Sequence, residues 1–142
     1  MAKRNDTPAK EEKGQSLVEF AFGITFMIIL LAGIVDFSRA FFTYMALRDA
    51  VQEGALYGSL HPTSTAGIEA RVQGIGDGPI DFSQVTVNSA IIGDFPCAGF
   101  EIRVQATYQF PISMPFIGAI VGSQSFPLSA SATDFIVSPP CE

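Results

Sequence analysis

The side chains that could act in catalysis are few and scattered in this chain. His61 is the only histidine, so a metal site with several histidine ligands cannot form. Ser59, His61 and Asp49 could be drawn as a nucleophilic triad, but they would lie on a helix end without an oxyanion motif. His61 precedes Pro62 and is more simply explained as a residue that terminates this helix. We therefore predict that the chain is not an enzyme.

Two loop motifs could in principle bind a phosphate or a metal ion. The glycines of residues 74–78 neither follow a predicted strand nor open a helix, which disfavours a phosphate site. Asp77 and Asp81 could share a calcium ion with loop carbonyls, but two solvated turn carboxylates are the simpler explanation. Cys97 and Cys141 lack the paired spacing of a zinc site. The sequence predicts no cofactor and no metal.

The charges are unevenly distributed along the chain, whose net charge is −6. The arginines after Gly14 are scattered, which argues against nucleic-acid binding: Arg39, Arg48, Arg71 and Arg103. The other basic residues all precede a long apolar run: Lys3, Arg4, Lys10 and Lys13. This asymmetry predicts a cytoplasmic N-terminus and an exported C-terminal part.

The apolar run from Phe20 to Val35 spans roughly 24 Å as a helix, and Leu17 and Val18 extend it toward the ~30 Å of a hydrocarbon core. Glu19 is its one charge and lies near the end, where the cost of a carboxylate falls. We predict a single transmembrane segment over residues 17–35.

An ordinary signal peptide is the main alternative for this segment. Ser38-Arg39-Ala40 has the small-x-small form of a signal-peptidase site, and cleavage there would leave Phe41 as the first residue. This site lies beyond the charged Asp36, however, and cleavage would destroy the helix that continues past Val35.

Nothing in the sequence interrupts the helical periodicity before Gly54, Gly58 and finally Pro62. We therefore expect one helix from about Ser16 to about Ser59, within a segment 15–60. Its second half is amphipathic and could carry a small domain on one face. The apolar positions at helical spacing are Phe37, Phe41, Tyr44, Val51 and Ala55. Residues 1–13 are polar, contain Pro8 and are expected to be disordered.

Three alternating patterns predict strands in the C-terminal part, residues 63–142. They cover Val85 to Ile92, Phe100 to Phe110 and about Ser125 to Phe135, and a short helix is expected near Ala66 to Gln73. A long amphipathic helix packed on a small antiparallel sheet makes an α+β unit with two layers.

The two cysteines fit this arrangement. If the third strand pairs antiparallel with the second, its end returns beside Phe100, and Cys97 and Cys141 could form a disulfide in an exported domain. Two unpaired thiols, or a disulfide between chains, remain the alternatives.

Two further features have two interpretations each. The apolar loop from Pro111 to Val121 is either a connection that covers the core or an exposed patch that meets another subunit or the membrane surface. Asp36 and Arg39 stand one helical turn apart, and form either a local ion pair or a contact between subunits.

The segment Gly14-Gln-Ser-Leu-Val-Glu-Phe20 and its continuation Gly33-Ile-Val-Asp-Phe37 resemble the TadE-like family of the tight-adherence (Flp-type) pilus apparatus. The later Arg48-Asp-Ala-Val-Gln-Glu-Gly-Ala-Leu-Tyr57 continues the resemblance. It covers roughly Gly14 to Pro62, while the strands agree only in general character.

This resemblance implies a pilin-like subunit whose leader, residues 1–14, is removed by a prepilin peptidase. Cleavage after Gly14 would make Gln15 the first residue and Glu19 the fifth, followed by Phe20. Glu19 could then neutralise the new α-amino group of a neighbouring subunit and set the axial position of each subunit. The expected partners are other pilin subunits, the peptidase and an inner-membrane assembly platform. The expected location is the cytoplasmic membrane for the precursor and an extracellular pilus after assembly.

The hypothesis is therefore a structural subunit, a pseudopilin or minor pilin that acts in pilus assembly and surface adhesion. Two alternatives remain open. One is the major subunit of the filament, although such subunits are typically much shorter. The other is an uncleaved single-pass anchor whose outer domain binds a partner.

Overall fold

A computed structural model describes residues 12–74, 80–114 and 122–141 of the chain. The chain divides into two compact units, Met1–Val35 and Asp36–Glu142. The elements are helix α1 (Glu12–Leu60), helix α2 (Thr65–Gln73), a short 3-10 helix (Phe82–Gln84) and strands β1 (Thr86–Ile92), β2 (Glu101–Pro111) and β3 (Ser125–Phe135). The predicted α+β class, a long N-terminal helix with a small antiparallel sheet, is confirmed.

The sheet has the order β1-β2-β3, with β2 in the centre and both pairings antiparallel. Along β2, alternate side chains are buried because residues at a spacing of two share one face of a strand. The buried residues are Ile102, Val104, Ala106, Tyr108 and Phe110. β3 pairs with β2 over its whole length, from Phe135 opposite Glu101 to Ser125 opposite Pro111.

The core of the second unit lies between this sheet, the later part of α1 and α2. Two glycines of α1 allow the close approach. A Cβ added to Gly54 would lie 2.5 Å from Cγ2 of Val72 in α2, and one added to Gly58 would lie 2.9 Å from Cδ1 of Ile102 in β2. Packing rather than backbone conformation therefore favours glycine at these positions, most strongly at Gly54.

The predicted packing face of α1 is correct only at its C-terminal end. Val51 and Ala55 are buried, as expected, but Phe37, Phe41 and Tyr44 are exposed. The helix instead buries a row of smaller side chains: Thr43, Leu47, Ala50, Val51, Gly54, Ala55 and Gly58. Small residues let the helix backbone come closer to the sheet than a row of aromatic rings would, and this closeness decides which face packs.

Several sequence-based expectations concern residues that lie partly or wholly outside the described ranges. Residues 12 and 13 already belong to α1, so the expected disorder of residues 1–13 is wrong for these two, and residues 1–11 lie outside the description. Asp77 and most of the 74–78 turn lie in the undescribed residues 75–79. Most of the apolar loop from Pro111 to Val121 falls in the undescribed residues 115–121.

Candidate functional site

The apolar half of α1 has no cover within its unit. Every large apolar side chain from Leu17 to Val35 is exposed, with Phe22 at 74%. The helix is apolar and long enough to cross a membrane, with a mean hydropathy of 2.4 over its best window and none of that window buried. Because each exposed Leu, Ile or Phe side chain costs about 1.5 to 3 kcal/mol relative to burial, lipid or protein must cover this surface. α1 is therefore a candidate membrane anchor.

Gly14, Gln15, Glu19 and Phe20 all lie on α1 and are exposed. Gln15 and Glu19 are four residues apart, so they occupy the same side of the helix one turn from each other. Within the described ranges, Glu19 has no ion-pair partner. A carboxylate surrounded by exposed apolar side chains has a strong preference for a cationic partner once that surface is covered.

The first charged residue after the apolar segment, Asp36, contacts the connection that follows β2. Its carboxylate accepts hydrogen bonds from the backbone N–H groups of Ser113 (3.1 Å) and Met114 (2.8 Å). Arg39 Nη1 forms an ion pair with Asp36 Oδ1 at 3.3 Å and also donates to the Ser113 hydroxyl. We call these four residues the Asp36 clasp. The Asp36 side chain is only 12% exposed.

The clasp goes beyond the local ion pair that the sequence suggested. Both residues of that pair also bind Ser113, which is 77 residues from Asp36 in sequence. The guanidinium of Arg39 further lies 5.5 Å from the centre of the Phe110 ring, near the end of β2. No local pattern in the sequence connects Ser113 with Asp36, so the sequence alone does not predict this contact.

A small cavity of about 200 Å³ opens beside the clasp. Its lining is aromatic and aliphatic apart from Arg39 and Thr43, and includes Phe42, Tyr108 and Phe110. Ligand pockets usually have volumes of roughly 300 to 1,000 Å³. The cavity is therefore smaller than a typical substrate site.

Beyond the clasp, α1 carries a second exposed apolar surface, which we call the outer stripe: Phe37, Phe41, Tyr44 and Met45. The spacing of four, three and one residues places these side chains on one side of the helix. Phe37 is 73% exposed and Phe41 is 51% exposed, and the ring of Phe42 packs edge-on against Phe41. The sheet and α2 pack on a different face of the same helix, which leaves the outer stripe available to another molecule. We call the second compact unit, Asp36–Glu142, the head.

At the other end of β2, Cys97 and Cys141 form a disulfide with their Cα atoms 5.1 Å apart. It fixes residues 136–141, the C-terminal strap, to the loop between β1 and β2. Backbone hydrogen bonds follow the same path, since Ile136 N–H donates to the Phe100 carbonyl at 2.8 Å and Ala98 N–H donates to the Pro139 carbonyl at 2.8 Å. The strap also reaches the end of α1, where Val137 N–H donates to the Ser59 carbonyl at 2.9 Å.

The residues considered for chemistry in the sequence have structural partners. The Ser59 hydroxyl donates to the Leu56 carbonyl at 2.8 Å, and the His61 ring stacks on Tyr57 with ring centres 4.7 Å apart. Within the described part of the chain, no group of three or more His, Cys, Asp or Glu side chains could hold a metal ion.

Asp81 caps the N-terminus of the short 3-10 helix. The Ser83 hydroxyl (2.6 Å) and backbone N–H (3.0 Å) donate to its carboxylate, as does the Gln84 amide (3.1 Å). These hydrogen bonds, with that of the Ser83 hydroxyl contributing most, hold the pKa of the Asp81 carboxyl below its ordinary value.

Comparison with known proteins agrees with the resemblance found in the sequence. The family model described as TadE-like protein matches residues 14–56, which include the candidate processing residues, Glu19, the Asp36–Arg39 pair and the outer stripe. This match confirms the suspected resemblance of this part of the chain to the TadE-like family. No curated protein and no solved structure matches the chain.

Proposed function

We propose that this chain, whose residues 14–56 match the TadE-like family, is a structural subunit of a Tad-type pilus: a pseudopilin or minor pilin made as a membrane precursor. The observation that carries the proposal is the uncovered apolar surface of α1, with one carboxylate, Glu19, near its start. In the precursor, lipid covers this surface. In the assembled pilus, the helices of neighbouring subunits cover it.

Processing after Gly14 prepares the subunit for assembly. Glycine presents no side chain to a protease that must bind extended backbone. A Cβ added at Gly14 would meet no atom within 4 Å, so packing within the chain does not explain a glycine at this position. A prepilin peptidase at the cytoplasmic face of the membrane removes residues 1–14. Gln15 then carries a new α-amino group, which is a cation at the start of the apolar surface.

Glu19 gives the assembly its register. When the apolar surface is covered by protein, an unpaired carboxylate there is strongly unfavourable, whereas one paired with the α-amino group of a neighbour is tolerated. Only a subunit at the correct axial position supplies that cation. The inner-membrane assembly platform moves subunits from lipid into the filament, where the exported heads serve pilus assembly and surface adhesion.

One observation favours the alternative of an uncleaved single-pass anchor. α1 begins at Glu12, so the bond after Gly14 lies within a helix, and a peptidase would have to unwind its first turn. Mass spectrometry of the N-terminus of the chain purified from its native host decides between the two. We expect Gln15 as the first residue, whereas Met1 or Ala2 would establish the anchor and Phe41 would establish ordinary secretion.

The role of Glu19 has its own experiment. We expect Glu19→Ala to abolish incorporation into surface filaments while membrane insertion is retained. Glu53→Ala is the matched control, since Glu53 is an exposed glutamate of the same helix outside the apolar segment. Filaments of normal composition from the Glu19→Ala chain would refute the register role and leave the membrane helix unaffected. The same comparison shows whether the chain is a minor or the major subunit, because removing a major subunit eliminates the filament itself.

A further inference from the structure

Strand β3 leaves one side of its backbone without a partner. It lies at an edge of the sheet, and among the described strands it pairs with β2 alone. Within the described residues, side chains hydrogen-bond to the backbone of β3 only at its two ends, where Ser123 Oγ bonds to the Ser125 backbone and the Asp134 carboxylate accepts from Phe135 N–H. Between these ends, alternate N–H and C=O groups of residues 126–134 point away from the sheet.

The other edge of the sheet differs. α2 lies against β1, and its Gln73 side chain donates to the Val85 carbonyl just before β1 at 3.3 Å. β1 is also shorter than β3. β3 is therefore the more accessible of the two edges in the described part of the chain.

The sequence of β3 does little to prevent pairing. Natural edge strands are commonly blunted by lysine, proline or a bulge. β3 has Pro127 near its start and Asp134 near its end, and its register with β2 is continuous. The six residues between them, Leu-Ser-Ala-Ser-Ala-Thr, are small and uncharged apart from the larger Leu128.

The two faces of β3 specify what an added strand should look like. Ser129, Ser131 and Thr133 are exposed on the outer face, whereas Ala130 is only 6% exposed on the face toward the core. Leu128 and Ala132 flank Ala130 on that inner face and are half-buried, so apolar side chains from a neighbouring strand would complete their burial. A suitable partner alternates small apolar residues with hydroxyl residues, which is the pattern of β3 itself.

We propose that this edge pairs antiparallel with the β3 edge of a second copy of the chain. A register centred on Ala130 uses the whole open stretch, with Phe126 of one copy opposite Asp134 of the other. Leu128 then lies opposite Ala132, and Ser129 lies opposite Ser131. In these two central pairs an apolar residue meets an apolar residue and a hydroxyl meets a hydroxyl, as Thr107 and Ser129 already do between β2 and β3 at 3.1 Å. The two Asp134 carboxylates lie at opposite ends, so like charges do not face each other.

This head contact does not depend on the proposed pilus function, because it uses neither Gln15, Glu19 nor the apolar surface of α1. It would join two heads through a continuous sheet of six strands. Since closed dimers are the commonest form of pairing between identical subunits, a self-complementary edge with this symmetry fits a pair of heads.

The test is disulfide trapping in the full chain, inserted in detergent micelles or bilayers. One tagged copy carries Ser129→Cys and a differently tagged copy carries Ser131→Cys, and the mixture is oxidised under mild conditions. Both positions are exposed, so the head should fold normally, which formation of the native Cys97–Cys141 disulfide verifies. Asn88→Cys mixed with Ala90→Cys is the matched control, since these residues are exposed on β1 with the same spacing.

Opposite residues of an antiparallel pair bring their Cβ atoms within about 5.5 Å, close to disulfide geometry, so we expect at least about tenfold more covalent heterodimer from the β3 pair than from the β1 pair. Equal yields from the two pairs would overturn the proposal, as would trapping of a different protein in place of the second copy. The N-terminal mass is measured on the same sample, so a failed head contact can be distinguished from a failed pilus assignment.

Discussion

The carboxylate of Asp36 accepts a hydrogen bond from the backbone N–H of Met114 at 2.8 Å, across 78 residues of sequence. Asp36 is the first residue of α1 after its apolar segment, and Met114 lies just after β2. The contact therefore fixes the connection between β2 and β3 to the start of the part of α1 that belongs to the head.

Replacement of Asp36 by asparagine should destabilise the head. Hydrogen bonds to an ionised group contribute roughly 1.5 to 3 kcal/mol, and the amide keeps the size of the side chain but loses the charge that binds Ser113, Met114 and Arg39. We expect a decrease of about 1 to 3 kcal/mol in the free energy of unfolding of the full chain in detergent, measured by chemical denaturation. Asp49→Asn, on an exposed side of the same helix, should change it by less than about 0.5 kcal/mol. Equal effects of the two substitutions would contradict a structural role for the clasp.

Loss of the disulfide should destabilise the head more than loss of the clasp. Cys97 and Cys141 are separated by 44 positions, and closing a loop of this length is worth about 4 kcal/mol in the chain-entropy model. We expect Cys141→Ser to lower the free energy of unfolding by roughly 2 to 4 kcal/mol, measured without reductant.

The double variant Cys97→Ser/Cys141→Ser serves as the control for a stray thiol. It should match the single variant, and reductant should lower the stability of the native chain to the same level. A native chain that is equally stable with and without reductant would show that the backbone hydrogen bonds of the C-terminal strap are sufficient by themselves.

The sequence predicts those features of this arrangement that depend on residues close together in the chain, and misses those that depend on residues far apart. β3 was predicted with its observed bounds and α2 nearly so, because alternation and helical spacing are local patterns. The disulfide followed from strand order, since antiparallel pairing brings the end of β3 beside the start of β2. The Asp36 contact with Ser113 was missed, because two polar residues 77 positions apart leave no pattern.

The face of α1 that packs was the main error, and its cause is physical. The helix has two apolar rows beyond Asp36, one of aromatic rings and one of small residues. Hydrophobicity and helical spacing alone place the aromatic row on the face expected to carry the small domain. The small row packs because Gly54 and Gly58 admit Val72 and Ile102, and this complementarity depends on residues of other elements.

Gly54→Ala should destabilise the head, although alanine favours helices. The gain in helix propensity is about 1 kcal/mol, but the new methyl group would lie 2.5 Å from Cγ2 of the fully buried Val72, a stiff side chain that cannot move aside. Overpacking of this kind costs roughly 1 to 3 kcal/mol. We expect a net loss of up to about 2 kcal/mol in the free energy of unfolding.

A double-mutant cycle with Val72→Ala isolates the clash. Since the shorter side chain removes Cγ2, the two substitutions together should cost less than the sum of their separate effects. Additive effects would mean that the close approach of α1 and α2 does not limit the size of residue 54.

Phe41→Ser separates the stability of the head from assembly. The Phe41 ring is 51% exposed on the outer stripe, so its removal should change the free energy of unfolding by less than about 0.5 kcal/mol. If a neighbouring subunit covers the stripe, loss of a buried Phe side chain removes about 1.5 to 3 kcal/mol from each contact, which corresponds to a decrease of roughly tenfold or more in the association constant. We therefore expect less of the variant in purified filaments, measured against membrane-inserted precursor by quantitative immunoblotting.

Gln52→Ser, an exposed polar position on the same helix, should leave that ratio unchanged. Normal incorporation of Phe41→Ser would show that the interface ends near Val35, and a drop in the stability of the isolated chain would show that Phe41 contributes to the head itself.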